Sequence, residues 1–397
     1  MARGNLELID SVGPSMLKNM IRESIRIRQP LMIWGQPGIG KSDTVAQVAQ
    51  ELNRPLIDIR LPLLEPTDMR GIPYLAEIKV YDATGKLLCT DDGLPITEKE
   101  FRWSPPSDLP RDATSNALVF YDEISAATPS VQAATYQIIL NRRIGNYKLP
   151  DDVAIIAAGN RVKDRGVAYN MPSALRNRFM HSTLDVHVED WKEWAIMNRI
   201  HKHVVGYISF AAGDLNTFGT HGDSEAFATP RSWCMVSKLL QHVNEQGELV
   251  DSNINEETLR NLIKGSVGIG PGTKFMSYRK RADVLPPVRS VLDGTVKKLP
   301  DCDIDITYAL TTGMVYEIVD IHEHAQRELI QGKRDGMDKF YSYTDNMLRF
   351  MMENFQDEMT VMGAKSILGK PHRLDMNAQK LKNWSEFTRK YHDLLTF

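Results

Sequence analysis

Short apolar runs punctuate the first half of the chain, at residues 31–34, 56–61, 117–121 and 153–158. Their length and β-branched content predict strands. Longer segments with helical spacing separate some of them, notably 42–52 and 130–140. Strands alternating with helices predict a parallel sheet covered on both faces. Two excursions interrupt the alternation. Between Leu75 and Trp103, residues 78–82 and 87–90 predict two strands joined through Ala83-Thr84-Gly85-Lys86, an inserted hairpin. A smaller excursion over 143–150 precedes the strand at 153.

After Asp185 the β character fades. Segments 189–200, 230–244, 256–263 and 274–283 have helical patterning. Thr229-Pro230 supplies an N-cap followed by proline at the first helical position, a helix-start signal. Leu285-Pro286-Pro287 suggests a boundary. Beyond it, 306–331 and 340–355 predict helices, and the tail from Gln379 a last one.

Composition adds modest limits. The 397 residues suffice for two or three domains with substantial cores. A formal charge of −3 gives no global attraction to a polyanion. Cys89, Cys234 and Cys302 are far apart, which fits a reducing compartment and not a disulfide framework or clustered zinc site. No apolar run approaches bilayer-spanning length, and the first nine residues lack a signal-peptide core. The expected location is the cytoplasm, with no membrane partner.

The strongest chemical signal is Gly35-Gln36-Pro37-Gly38-Ile39-Gly40-Lys41-Ser42, a match to G-x-x-x-x-G-K-[ST]. A predicted strand runs into it and a predicted helix leaves it. Glycines let backbone N–H groups curl around phosphates, and the helix N-terminus adds partial positive charge. Lys41 is expected to reach the β- and γ-phosphates and Ser42 to ligate Mg²⁺. A glycine-rich turn that merely starts a helix is the bland alternative, and the flanking elements argue against it. The run 117–121 ends in Asp122-Glu123. Alone, two acids after a strand are commonly a solvated strand end. Beside a phosphate loop, Asp122 is expected to hold the Mg²⁺ shell and Glu123 to orient or deprotonate the attacking water. The strand at 153–158 runs on to Gly159-Asn160, whose amide either contacts the γ-phosphate or lytic water, or starts a turn.

These elements in this order resemble the AAA+ superfamily, and more closely its MoxR branch, over residues 5–292. Gly35 to Ser42 looks like the Walker A loop, Val119 to Glu123 like Walker B, and Asn160 like the first sensor. Pro172-Ser173-Ala174-Leu175-Arg176-Asn177-Arg178-Phe179 resembles the segment that carries an arginine finger; Arg178 is the choice and Arg176 the runner-up. Thr229-Pro230-Arg231-Ser232-Trp233 looks like the MoxR-type second sensor at the start of a lid helix, with Arg231 acting in cis. The two excursions sit where that branch carries insertions.

The resemblance implies an α/β P-loop fold: a parallel sheet with helices on both faces, then an α-helical lid and a C-terminal helical region. The expected domains are 1–187, with inserted hairpins near 76–103 and 143–150; 188–285, the lid; and 286–397, of unassigned role. It implies ATP and Mg²⁺ as cofactors, and hydrolysis in a homo-oligomeric ring, expected to be a hexamer, that remodels or assembles a protein client. Relatives of that branch often work with a partner bearing a von Willebrand factor A domain. Its D-x-S-x-S motif is absent here, so that partner would be a separate chain. Two alternatives stay open: a nucleic-acid-directed motor or loader, and a nucleotide-stabilised scaffold with little turnover. The intact Asp122, Glu123 and Asn160 set argues against the scaffold.

Other features carry less. His322-Glu323-His324 tempts a metal reading, but residues two apart on a helix do not share a face, so a solvated helix is expected. Asp301-Cys302-Asp303-Ile304-Asp305 begins like a calcium loop, yet Ile306 replaces the required glycine and Thr312 the closing glutamate. Met337, Met347, Met351, Met352, Met359 and Met362 suit an irregular helical core, with a flexible partner surface as the sharper reading. The basic tail (Lys365, Lys370, Arg373, Lys380, Lys382, Arg389, Lys390) is interleaved with Trp384, Phe387 and Tyr391. It fits a nucleic-acid contact or a docked amphipathic helix. Nucleic acid is not the favoured partner.

Overall fold

The computed structural model describes residues 10–104, 106–144, 147–161, 164, 169–220, 225–245, 249–282, 285–299, 304–330, 335–368, 374 and 376–394. It divides into two compact units, Met1–Asp185 and Val186–Phe397.

The first unit runs β1 (Ser11–Val12), α1 (Pro14–Arg26), β2 (Leu31–Trp34), α2 (Lys41–Glu51), β3 (Leu56–Arg60), α3 (Pro66–Arg70), β4 (Ile72–Lys79), β5 (Thr97–Ser104) and β6 (Leu118–Asp122). It continues with α4 (Pro129–Asn141), β7 (Arg143–Ile144), β8 (Tyr147–Lys148), β9 (Ala154–Gly159), α5 (Ser173–Arg176) and β10 (Met180–Leu184). Six strands form a sheet in the order β1-β10-β2-β9-β6-β3, with every pairing parallel. The predicted α/β class is the observed one. β6 and β9 are buried along their whole length, as strands covered on both faces must be. Met32, Val119, Tyr121, Ile155 and Ala157 pack on one face with Val131, Ala134 and Ile138 of α4. Truncating a core residue such as Ile138 to alanine would cost about 2–5 kcal/mol.

Strand β10 has no counterpart in the sequence-based expectation. Its polar His181-Ser182-Thr183 core hides it, yet it lies between β1 and β2. The inserted hairpin also differs from expectation. Its ladder pairs β4 with β5, Ile72 against Ser104 through Lys79 against Thr97. Ile78 and Lys79 belong to that ladder, and the expected pairing of 78–82 with 87–90 is limited to its tip, where Tyr81 bridges Leu87 and Leu88 N–H donates to the Val80 carbonyl. The tight turn through Gly85 is present, with Gly85 N–H donating to the Asp82 carbonyl. Both faces of this hairpin are exposed, and it displays Ile72, Tyr74, Leu75, Phe101 and Trp103. The excursion at 143–150 is the β7–β8 pair. Arg142 closes it: its guanidinium donates to the carbonyls of Pro150 (2.6 Å) and Val153 (2.7 Å).

The second unit comprises α6 (Val188–Met197), α7 (Lys202–Phe210), α8 (Pro230–Leu240), β11 (Gln241–Val243), β12 (Leu249–Asp251), α9 (Glu256–Val267) and α10 (Ile269–Ala282). It ends with α11 (Val288–Leu292), α12 (Ile304–Ile330), α13 (Asp335–Asn354), α14 (Asp357–Leu368) and α15 (Trp384–Lys390). Helix α8 stops at Leu240 instead of reaching residue 244, because Gln241 turns extended and pairs with Asp251. Tyr207 packs edge-on or tilted against Trp233, Phe275 and Tyr278, with ring centroids 5.5–5.6 Å apart. Leu285, expected at a boundary, packs against the core shared by α6 to α15.

Several ambiguities resolve here. Met347 and Met351 are fully buried, which favours core packing over a partner surface. Phe387 and Tyr391 are buried too, so the aromatics of the basic tail serve α15 docking. Glu323 pairs with Arg199 at 2.8 Å on the surface, while His322 is buried against Phe340. That histidine corrects the expectation of a fully solvated helix. Among the described residues no group of acids, histidines and cysteines forms a metal cluster. Residues 301–303, which open the calcium-like stretch, and Lys370 and Arg373 of the basic tail lie outside the described residues.

Candidate functional site

Strand β2 ends at Trp34, and the chain turns at once into the glycine loop. A side chain at Gly35 would place its Cβ 2.9 Å from the Leu184 carbonyl, so close backbone approach demands glycine here. Gly40 has open space around it but sits at φ 95°. Its left-handed backbone, not crowding, excludes other residues. Helix α2 starts directly after it, with Thr44 Oγ1 donating back to the Gly40 carbonyl at 2.8 Å.

Lys41 is fixed from three directions. Its Nζ donates to the carbonyls of Gly35 and Gln36 and to Asn160 Oδ1, each at 2.8 Å. Parallel pairing explains the meeting: Trp34 lies opposite Gly159 in neighbouring β9, so the loop and Asn160 leave the sheet side by side. Ser42 Oγ donates to Asp122 Oδ2 at 2.7 Å. Thus α2, β6 and β9, distant in sequence, gather Lys41, Ser42, Asp122 and Asn160. Pro37, Gly38 and Ile39 complete the loop between them, Ile39 buried.

Asp122 is almost fully buried, and its other carboxylate oxygen accepts from Glu123 N–H at 2.8 Å. Glu123 adopts φ 56° and is exposed. A non-glycine residue in that left-handed region costs about 1–3 kcal/mol and typifies functional turns. The turn swings Glu123 out of the sheet while Asp122 stays in it. Asp58, on β3 next to β6, has its carboxyl raised above the ordinary range, first by burial and second by the Asp122 charge.

Three positioning contacts were invisible to motif reading. Ser125 Oγ accepts from Asn160 N–H at 3.0 Å and lies buried under Gly159. Gln132 Nε2, buried on α4, donates to the carbonyls of Ile124 and Ala127 at 3.1 Å. Together they pin the turn after Glu123 to the strand bearing Asn160. His181 is the third. The signal for Ser125 was its place two residues beyond Glu123; Gln132 and His181 had no local signature.

Arg176 and Arg178 are exposed at the turn between α5 and β10. Arg178 is held through its backbone, its carbonyl accepting from Gln29 Nε2 at 2.9 Å. In the second unit, Arg231 is exposed in the first turn of α8. That helix starts with a reciprocal cap: Ser232 N–H donates to Thr229 Oγ1 at 3.1 Å, and Thr229 N–H to Ser232 Oγ at 2.8 Å.

The site's oxygen donors fit a small divalent cation. Ser42 and Asp122 bring a hydroxyl and a buried carboxylate together, and Mg²⁺ takes such oxygen ligands while keeping waters. Mg²⁺ there would neutralise phosphate charge. The loop amides and Lys41 would hold phosphate oxygens, and Asn160, already bonded to Lys41, would stand beside the terminal phosphate.

Comparison with known proteins agrees with this geometry. Residues 31–184 match the model for the ATPase family associated with various cellular activities, AAA. The MoxR protein of Methylorubrum extorquens is 26% identical over 174 residues, 43% of this chain and 44% of that protein. Midasin of Giardia intestinalis is 25% identical over 208 residues, 49% of this chain and 4% of midasin. The chain therefore spans less than half the length of either relative. The RuvB Holliday junction branch migration motor of Thermotoga maritima is 17% identical, covering 86% of this chain and 75% of that one with a TM-score of 0.31, too loose a likeness to carry an argument. With strand, glycine loop, helix, acid-tipped strand and asparagine-tipped strand in one parallel sheet, residues 31–184 are an AAA ATPase domain, similar to that of the MoxR protein.

Proposed function

We propose that this chain hydrolyses ATP with Mg²⁺ in a homo-oligomeric ring and uses the cycle to remodel or assemble a protein client. The observation that carries the reading is the convergence of Lys41, Asn160, Ser42 and Asp122 through direct hydrogen bonds. Loop amides and Lys41 bind the triphosphate. Glu123, carried outward by its left-handed turn, orients the attacking water and accepts its proton. Asn160 holds the terminal phosphate against Lys41.

Charge on the transferred phosphoryl group calls for an arginine, worth about 10³–10⁵ in rate when supplied as a finger. Arg178, exposed and among the described residues anchored through its backbone, suits delivery to a neighbouring copy; Arg176 is its alternative. Arg231 is assigned the second sensor. The exposed apolar hairpin β4–β5 supports a macromolecular partner, since such patches mark interaction surfaces. A separate von Willebrand factor A-domain chain is the partner class implied by the MoxR likeness. Among the described residues no helix is long and apolar enough to cross a membrane, and a cytoplasmic site of action is part of the proposal.

Sedimentation with Mg²⁺ and a non-hydrolysable ATP analogue tests the ring. A nucleotide-dependent shift to a discrete oligomer, with turnover per chain rising with concentration, is expected. A chain that stays monomeric yet hydrolyses ATP at full rate contradicts it.

A further inference from the structure

The arginine turn and the phosphate loop are joined through one imidazole. Trp34 Nε1 lies 2.9 Å from His181 Nδ1, and His181 Nε2 lies 2.8 Å from the Arg176 carbonyl oxygen. The two rings stack at 12° with centroids 6.1 Å apart. The partners fix the tautomer. An indole N–H can only donate and a carbonyl can only accept. So Nδ1 accepts from Trp34, and Nε2 carries the proton and donates to Arg176.

Each end of this bridge leads to a functional element. Trp34 is followed by Gly35, whose carbonyl holds Lys41. At the other end, the Arg176 carbonyl also accepts Phe179 N–H at 3.2 Å, closing the turn that presents Arg178. The next anchor of that turn is Gln29, which donates to the Arg178 carbonyl at 2.9 Å and stands just before β2. The Arg176 and Arg178 carbonyls are therefore held by His181, on the strand beside β2, and by Gln29, just before β2.

We infer that His181 is a positioning residue that couples the phosphate loop of one copy to the arginine turn which that copy presents to its neighbour. The inference rests on the proposed role of Arg178 as a finger acting in trans. It gives His181 a task beyond packing: its donor–acceptor pair sets where Arg178 sits, and through it the turnover of the adjacent site. Small misplacements of a charge-stabilising group are costly, since about 1 Å can lower rate on the order of a hundred-fold.

The test uses the full chain with His181→Phe, His181→Gln, Trp34→Phe and Arg178→Ala. Phenylalanine keeps a stacked ring and removes both hydrogen bonds; glutamine keeps one acceptor and one donor. Nucleotide affinity is measured by titration with a fluorescent ATP analogue, turnover at saturating MgATP, and folding by thermal melting. His181→Phe is expected to bind nucleotide within about two-fold of the parent while kcat falls by about ten-fold or more. His181→Gln should recover most of that loss. If His181→Phe melts early, Trp34→Phe removes the same indole donor and should lose kcat alike. A His181→Phe chain with full turnover overturns the inference, as does a kcat loss matched by lost nucleotide affinity or not rescued by glutamine. So does a Trp34→Phe chain with full turnover. Arg178→Ala separates the two levels. If it is slow while His181→Phe is fast, only the relay fails; if Arg178→Ala is itself fast, the finger assignment fails and the relay with it.

Discussion

Lys41 Nζ stands 2.8 Å from Asn160 Oδ1, so the cation that would grip the terminal phosphates is hydrogen-bonded to the amide that would sense them. These residues are 119 positions apart in sequence. Their meeting is a product of sheet order, with β2 and β9 side by side.

Asn160→Ala tests that relationship. The substitution removes one anchor of Lys41 and, on the proposed role of Asn160, one polar contact to the reacting phosphate. Nucleotide affinity is expected to change by less than about five-fold, with kcat down about a hundred-fold, the low end for losing one charge-stabilising donor. Steady-state hydrolysis beside equilibrium nucleotide titration separates the two.

Gly159→Ala attacks the same place through packing. The added Cβ would fall 2.8 Å from Ser125 Oγ and 2.9 Å from Met32 Cε. Ser125 would have to move away from Asn160 N–H. Destabilisation of about 1–3 kcal/mol is expected, read from denaturant melts, with a fall in turnover from the displaced Asn160. Unchanged melting would show that this corner of the sheet is looser than its contacts imply.

Mixing tests the in-trans arginine. Arg178→Ala and Glu123→Gln chains should each be inactive alone. Combined at equal ratio, they place an intact Arg178 from one chain against an intact Glu123 of the other at some interfaces. Recovered hydrolysis, at roughly a quarter or less of parent activity, is expected if subunits exchange at random and each interface acts independently. Mixed assembly confirmed by sedimentation but without recovery removes Arg178 from that role.

Acid stability has a clear sign at His203. Burial is the main cause that drives its imidazole down to about 3, with His201, Lys202 and Arg279 adding repulsion and Asp251 opposing it. A histidine held neutral in the fold charges more readily when unfolded. Its stability contribution is therefore full above the unfolded value near 6.5 and is lost as pH falls toward 3. Between pH 7 and pH 5 the loss is about 2 kcal/mol. His203→Gln should flatten that slope in denaturant melts of the chain, and an equally steep slope in the variant would contradict the assignment.

The phosphate loop was legible because its information is local: one glycine-rich octet between an apolar strand and a helix. Asp122 and Glu123 were legible only beside that octet. The left-handed turn at Glu123 was not, since nothing in a glutamate signals φ 56°. Strand β10 stayed hidden because His181, Ser182 and Thr183 lack the apolar run that marks a central strand, although the sheet surrounds them. The β4–β5 register escaped for another reason. A hairpin exposed on both faces has no buried face to fix its alternation, so the visible turn at Gly85 suggested pairing too close to the tip. His181 could not be found by motif at all, because its partners Trp34 and Arg176 meet it only in the folded sheet.

The most direct measurement compares MgATP binding and turnover for the parent chain and Glu123→Gln under conditions that permit assembly. The site geometry predicts that the variant binds ATP as tightly as the parent, because Lys41, Ser42, Asp122 and Asn160 are untouched, while hydrolysis falls about a hundred-fold or more through loss of the base. A Glu123→Gln chain that hydrolyses ATP at the parent rate would contradict it.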